Sequence, residues 1–340
     1  MINVAVVGLG FMGVTHIKAY RKLENVRLAA ICDAVRLPVD GDLSDITGNF
    51  GAPEPLKLDM AQVKATKNLD DLLADPSIDL IDLCVPTLAH VKLSVAALKA
   101  GKHVVCEKPM ARTAAQCREI VQAAASAKGY FMPAMCVRFI PEYCWLKDAI
   151  DSKRYGRVLS AVFRRVGERP VWGREHFLNG EKSGGALLDM HIHDADFVQY
   201  AFGRPKAVFA RGFTLVSGAI DHVLAQYVVA GDVAVSAEGG WVMSDGYGFS
   251  MSFKVIFENA TVDFDSARGA EAFRLFQTGQ TPQTLSISGA DGYMGELQHL
   301  IDSIAAGRPP SIVTAQDGMS AVEICEAEER SIKSGQVVAL

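Results

Sequence analysis

The strongest constraint on the fold lies at the amino terminus. Ile2 to Val7 is apolar at every position but Asn3, Gly8-Leu9-Gly10-Phe11-Met12-Gly13 follows at once, and a helix-period stretch continues to about Leu23. A short apolar run bounded by glycine reads as a strand buried on both faces. Glycines in this pattern serve the tight turn, the close approach of backbone to a pyrophosphate and the packing of helix on strand, while the helix N-terminus faces the anion. A second strand, Arg27 to Cys32, ends at Asp33, twenty residues beyond Gly13. A carboxylate there accepts hydrogen bonds from a ribose diol and repels a 2′-phosphate. Strand, glycines, helix, strand and acid in register predict a dinucleotide site that favours NAD over NADP; nearby Arg36 is the feature that pulls toward NADP.

The following segment is less regular. Residues 35–60, with Pro38, Gly41, Gly48, Gly51, Pro53 and Pro55, make a poor helix and are expected to contain a surface insertion. Beyond it the pattern predicts a strand at Val63 to Ala65, a helix at Asn68 to Leu73 and a buried strand from Asp79 to Val85 that ends at Pro86-Thr87. A helix opening at His90 and stopping at Gly101 comes next, then a strand from His103 to Cys106. That last strand delivers Glu107-Lys108-Pro109 beyond its carboxyl end, where ligands of open α/β sheets bind. The candidate cofactor contacts are therefore Gly8, Gly10, Phe11, Met12 and Gly13 of the turn, Asp33, and Pro86, Thr87, His90, Glu107 and Lys108 at later strand ends. Ala111 to Ala127 reads as an amphipathic helix, Tyr130 to Cys136 as the last strand of this half, and Pro141 to Ser152 as a crossing helix.

From Arg157 the periodicity changes. Val158 to Val166, Ala207 to Val216, His222 to Val229, Val233 to Val242, Phe249 to Phe257 and Thr261 to Phe264 alternate, with turns such as Asp245-Gly246 and Glu258-Asn259 between some of them. Such alternation predicts an open, mostly antiparallel sheet. The expected organisation is α/β: a doubly wound parallel sheet over residues 1–136, then an α+β domain over residues 137–340. One face of the second sheet should pack on helices and the other on a partner subunit, since a large bare face would be an apolar patch; a homodimer or homotetramer is expected. Helices from Gly292 to Ala305 and Asp317 to Lys333 and a short strand at Val337 to Leu340 close the chain.

Composition narrows the partners. With 340 residues, 49% hydrophobic and 21% charged, two cores can be buried. A net charge of −5 supplies no basic field for nucleic acid. No apolar run approaches the roughly 20 residues of a membrane span. The first residues read as a strand rather than a leader, so a cytoplasmic setting and small-molecule partners are expected. Seven cysteines without a C-x-x-C pair indicate neither a disulfide framework nor a zinc cage.

One later stretch is chemically dense: Ser183-Gly-Gly-Ala-Leu-Leu-Asp189-Met-His191-Ile-His193-Asp194-Ala-Asp196-Phe-Val-Gln-Tyr200. On a helical wheel Asp189, His193, Asp196 and Tyr200 share one polar stripe. Asp189 and His193 are four apart, so a carboxylate can orient an imidazole and raise its basicity. Taken alone, Asp-x-x-x-His reads more readily as a satisfied histidine at a packed interface. The loop Trp172-Gly-Arg174-Glu175-His176-Phe177 offers stacking and forked hydrogen bonds to a hydroxyl-rich ligand, or is a solvated connection. Arg164, Arg165 and Arg169 suit an acidic substituent or water, and Tyr293 either a pocket or a core.

Three segments together resemble the signatures of the glucose-fructose oxidoreductase and inositol dehydrogenase family (Gfo/Idh/MocA). They are the Gly8-to-Gly13 turn, Ala97-Leu-Lys-Ala-Gly101-Lys-His103-Val-Val-Cys-Glu107-Lys108-Pro109, and Gly184-Gly185-Ala-Leu-Leu-Asp189-Met-His-Ile-His193. The resemblance extends through Gly307-Arg-Pro309 and Asp317-Gly318. It implies a Rossmann domain and a nicotinamide-dependent oxidoreductase acting on a secondary alcohol of a sugar, cyclitol or related polyol. Carried over residue by residue, it makes Lys108, Asp189 and His193 the groups that line the reacting carbon. The chain departs from the family pattern at Leu88, where asparagine is common, at His191, often a small residue, and in the extra acids Asp194 and Asp196. Two other readings stand beside this one: a metal-dependent hydrolase using His191, His193 and Asp196, against which two imidazoles i, i+2 on a helix point apart, and a non-catalytic dinucleotide sensor. With the dehydrogenase reading no metal is expected.

Overall fold

A computed structural model describes residues 1–46, 48, 54–170 and 174–340. The chain divides into two units, Met1–Cys136 with Ala290–Met319, and Val137–Gly289 with Ser320–Leu340. The division is not the linear one expected: residues 290–319, assigned from sequence to the second domain, return to the first. The reason is α9 (Gly292–Ala305), whose Glu296, Leu297, Leu300 and Ile301 are buried within that unit.

The first unit alternates strands and helices in the order β1 (Ile2–Val7), α1 (Phe11–Tyr20), β2 (Val26–Cys32), β3 (Lys64–Thr66), α2 (Leu69–Leu73), β4 (Leu80–Leu83), α3 (Thr87–Lys99), β5 (His103–Glu107), α4 (Ala114–Ser126) and β6 (Phe131–Ala134). The strands form one parallel sheet in the order β3-β2-β1-β4-β5-β6, the doubly wound order of a dinucleotide-binding fold. Central β4 is buried at every residue, as a parallel strand covered on both faces must be. Local chemistry sets the helix starts: Asn68 accepts the Asp70 amide, Thr113 the Gln116 amide and Asp291 the Met294 amide. Helix α3 starts at Thr87, three residues before His90, because the extended Pro86 serves as its N-cap. The expected surface insertion has a small core of its own. Leu43, Leu56 and Leu58 are buried, and backbone bonds join Leu43 to Leu56 and Leu58 to Gly41.

The second unit opens on α5 (Pro141–Ser152), with proline at its first position, and continues through β7 (Val158–Glu168), α6 (Arg174–Phe177), α7 (Gly180–Ser183), a π-helical turn at Leu187–His191 and α8 (Ile192–Phe202). Then come β8 (Ala207–Phe213), β9 (His222–Val228), β10 (Ala234–Met243), β11 (Phe249–Phe257), β12 (Ala260–Asp265), β13 (Phe273–Gln277) and β14 (Gln283–Thr284). The carboxyl-terminal elements are α10 (Ala315–Ser334) and β15 (Val338–Ala339). Among the described residues nine strands form one sheet, β14-β13-β12-β11-β7-β10-β9-β8-β15, antiparallel except where β10 runs parallel to β7. One face carries the aromatic core of Phe163, Phe253, Phe264 and Phe273, against which Tyr143 and Phe197 pack edge-on. On the other face Val162, Leu224, Val228 and Ile256 are bare, between 41 and 54% exposed.

Candidate active site

The glycine turn follows β1 at the carboxyl end of the first sheet. Gly8 has φ +94°, and a Cβ on Gly13 would stand 1.9 Å from the Gly8 carbonyl oxygen, so neither position admits a side chain. At Gly10 an added Cβ would meet nothing within 4 Å, which leaves room for a ligand against the backbone. Asp33 ends β2 and is locked to this turn: one carboxylate oxygen accepts the Leu9 amide at 2.8 Å, the other the amides of Val35 and Arg36 at 2.8 and 2.9 Å. A carboxylate has about four acceptor directions, so a half-buried Asp33 with three amides keeps capacity for one ribose hydroxyl. These residues fit a dinucleotide. Arg36 turns instead to Asp45 at 2.8 Å. Phe11 and Met12 are half-buried, and Phe11 lies against Gly48 of the insertion.

The strands neighbouring β1 add the rest of this edge. Thr87 is buried at the first position of α3, Pro86 is exposed, and Leu88 is 60% exposed beside them. His90, expected to touch a cofactor, is committed to backbone: its ring nitrogens lie 2.8 Å from the carbonyls of Pro109 and Val85. It shapes the Lys108-Pro109 loop from behind. Glu107 is buried, and its carboxylate accepts the Lys108 amide at 3.1 Å; Lys108 is half-buried and precedes a cis peptide bond.

Behind these residues is a buried polar cluster that sequence reasoning did not identify. His16, on α1 one turn past Gly13, lies between Asp82 of β4 (Nδ1 to Oδ2, 2.9 Å) and Glu107 (Nε2 to Oε1, 3.1 Å). The second contact has ion-pair distance without hydrogen-bond alignment. The Cys84 thiol is 3.4 Å from both His16 and Asp82. Glu296 of α9, fully buried, places Oε1 at 3.9 Å from His16 Nε2, and neither of its oxygens has a hydrogen-bond partner. Burial disfavours a charged His16, but the Asp82 carboxylate and Cys84 outweigh it and raise its pKa well above the usual 6.5. Burial, reinforced by Glu107 and Asp82 against the opposing pull of His16, raises the Glu296 carboxyl well above its usual range. A charged residue inside the apolar run Leu80-Ile81-Asp82-Leu83 was the available signal. Among the described residues, His16, Asp82 and Cys84 are the one group with donor atoms as close as metal ligands.

In the second unit the Asp189-to-Tyr200 stretch is not one uniform α-helix. A π turn covers Leu187–His191, a feature common at functional positions, and shifts Asp189 from the α-helical wheel on which the stripe was drawn. Asp189 and His193 are half-buried. Asp196, expected on the same open stripe, is instead buried in a forked pair with Arg138, at 2.7 and 2.6 Å, with Gln199 donating to it at 2.9 Å. Asp194 is likewise buried against Arg165 at 2.9 Å. The two acids thus hold α8 in place by its inner side, with Tyr200 beneath the Arg138 guanidinium at 4.5 Å. His191 is fully buried with Nε2 at 3.1 Å from Tyr227 and 3.3 Å from Glu328. Burial opposes its charged form, but Glu328 prevails and raises its pKa. His191, His193 and Asp196 therefore do not converge as a metal site. Of the loop at 172–177, Trp172, Gly173 and the side chains of Arg174 and Glu175 lie outside the described residues. Arg164 pairs with Glu238 at 3.0 Å, and Tyr293 lies near His16 with ring centroids 6.3 Å apart and the rings tilted by 50°.

Comparison with known proteins gives matching results along the chain. Residues 2–135 match the model of an oxidoreductase family with an NAD-binding Rossmann fold, and residues 143–263 that of the GFO/IDH/MocA C-terminal domain. Myo-inositol 2-dehydrogenase of Thermotoga maritima is 26% identical, covering 100% of this chain and 98% of that protein; inositol 2-dehydrogenase of Rhizobium meliloti is 24% identical, covering 100% and 99%. Among solved structures, a levoglucosan dehydrogenase in complex with NADH and levoglucosan superposes with a TM-score of 0.84 at 20% identity over 99% of both chains.

Proposed function

The chain belongs to the Gfo/Idh/MocA oxidoreductase family, and from that premise we propose that Lys108, Asp189 and His193 carry out the NAD-dependent oxidation of a secondary alcohol on a sugar, cyclitol or related polyol. The observation that supports this most is the edge of the first sheet. The glycine turn after β1, Asp33 after β2, Thr87 after β4 and Lys108 after β5 all follow the carboxyl ends of adjacent parallel strands. Asp33, fixed by three backbone amides, favours the unphosphorylated ribose of NAD.

Bound nicotinamide supplies the hydride acceptor. The chain's own residues handle charge and protons. The Lys108 ammonium stabilises negative charge on the substrate oxygen as the C–H bond is lost. His193 accepts the hydroxyl proton, since imidazole titrates closest to neutrality, and Asp189 orients the ring and the alcohol. A panel of sugars and cyclitols with NAD, followed by absorbance of the reduced cofactor, tests the reading. Lys108→Ala and His193→Ala should each lower kcat by roughly 10²- to 10⁴-fold while NADH affinity holds; a matching loss of nucleotide binding would contradict these roles.

We also propose a homodimer or homotetramer in the cytoplasm. The bare Val162, Leu224, Val228 and Ile256 on the outer sheet face support the assembly, and among the described residues no helix is long and apolar enough to cross a membrane. Sedimentation showing only a 36.6 kDa species would remove the assembly.

A further inference from the structure

We propose that His16 is a positioning residue for Lys108, holding the Glu107 carboxylate that receives the Lys108 amide and so tying the lysine loop to the helix that begins at the glycine turn. This inference rests on the catalytic role proposed for Lys108.

The geometry is continuous within the first unit. Asp82 anchors His16 Nδ1 at 2.9 Å, Nε2 meets Glu107 Oε1 at 3.1 Å, and Glu107 Oε2 accepts the Lys108 amide at 3.1 Å. Three elements are joined by one imidazole: β4 through Asp82, α1 through His16 itself and the end of β5, where the Lys108 loop begins, through Glu107. On the far side of Lys108, His90 holds the Pro109 carbonyl at 2.8 Å. The residues on both sides of the lysine are thus gripped by histidines from α1 and α3.

Charge explains why the central group is histidine. The groups facing His16 are Asp82 and Cys84 from β4, Glu107 from β5, Glu296 from α9 and Tyr20 on its own helix. With Nδ1 hydrogen-bonded to Asp82 and Nε2 at ion-pair distance from Glu107, a positively charged ring compensates both buried carboxylates, as no neutral side chain would. Asp82 and Glu107 serve as its counter-ions. Glu296 is the third acid, its carboxyl pushed toward the neutral form by burial and by the other two. A neutral amide at position 16 can hold one carboxylate or the other in place but cannot balance both charges. Glu107 would then turn away, and the Lys108 amide would lose its acceptor.

The test uses the intact protein and two near-isosteric variants, His16→Gln and Glu107→Gln, each read in three ways: hydrogen exchange at the Lys108 amide, NADH affinity by fluorescence titration, and steady-state kinetics with the best substrate of the polyol panel. Exchange at Lys108 in the wild type should be slow, and at least tenfold faster in both variants. NADH affinity of His16→Gln, which lies behind the cofactor edge, should stay within about threefold. Misplacing a reacting group by about 1 Å costs on the order of 10²-fold, so kcat should fall roughly 10- to 100-fold with KM little changed. The proposal is overturned if the wild-type Lys108 amide exchanges as fast as an exposed one, a reading that requires no variant to fold. It is also overturned if a folded Glu107→Gln protein keeps wild-type kcat, if NADH affinity of His16→Gln falls as far as its kcat, or if the purified protein carries one equivalent of metal on His16. Should the wild type oxidise no member of the panel, the functional reading fails, while the exchange and affinity measurements still decide whether His16 holds the Lys108 loop.

Discussion

The pair Arg138–Asp196 allows a quantitative test of how α8 is held. Both side chains are at most 3% exposed, and their fork of 2.7 and 2.6 Å bonds is completed by Gln199. Replacing Arg138 by methionine keeps much of the side-chain length and leaves the Asp196 carboxylate buried without its counter-ion, at a cost of about 3–5 kcal/mol. For a unit of about 170 residues each kcal/mol lowers Tm by roughly 2–4 °C, so Arg138→Met should melt about 6–20 °C below the wild type. The double variant Arg138→Met with Asp196→Leu removes both charges and should recover most of that loss, because a well-packed apolar pair replaces a buried ion pair at little net cost. Differential scanning calorimetry at pH 7 of the wild type, both single variants and the double variant completes the cycle. A double variant as unstable as Arg138→Met would refute the assignment of that cost to an uncompensated charge.

Two further outcomes follow from the first unit. Glu296 and His16 both have folded-state pKa values raised above their unfolded ones, so the folded protein binds more protons than the unfolded chain above about pH 4.5 for the glutamate and above about 6.5 for the histidine, up to each folded value. The stabilisation these two groups contribute should fade as pH rises through that range, while His103, His222 and His299, whose pKa values burial lowers, act the other way near neutrality. Glu296→Gln should therefore gain on the wild type as pH rises and melt higher at pH 8, which calorimetric scans of both proteins from pH 5 to pH 9 check. Gly13→Ala would set a Cβ 1.9 Å from the Gly8 carbonyl oxygen. It should abolish measurable NADH binding and lower Tm, and a variant with intact affinity would show that the turn can open.

Where the physics is local, the chain declared its structure. The run from Ile2 through Gly13 to Asp33 needs only strand burial, glycine stereochemistry and helix period, and it appears as β1, the turn, α1 and β2. Pro141–Ser152 and Phe249–Phe257 begin and end where their patterns do. Strands β13 and β14 were missed because Phe273-Arg-Leu-Phe-Gln is short and Gln283-Thr284 is exposed; their partners, not their residues, make them strands. The parallel pairing of β10 on β7 is invisible in an alternation shared with antiparallel strands.

The sequence by itself determined two sheets of different kinds, a dinucleotide turn with its acid, and the residues with suitable chemistry at positions 108, 189 and 193. Tertiary structure alone decided what the other polar residues do. Asp196 lies on the same helical stripe as His193 but is consumed by Arg138, from 58 positions earlier. His90, at the mouth of a ligand crevice in sequence, spends its ring on two carbonyls. His16, Asp82, Glu107 and Glu296 are scattered from α1 to α9, and apart from the acid inside the apolar run of β4 nothing in their local patterns points to a buried cluster. The reason is physical: backbone propensity acts over a few residues, whereas the state of a buried charge depends on whichever distant counter-charge the fold brings within reach.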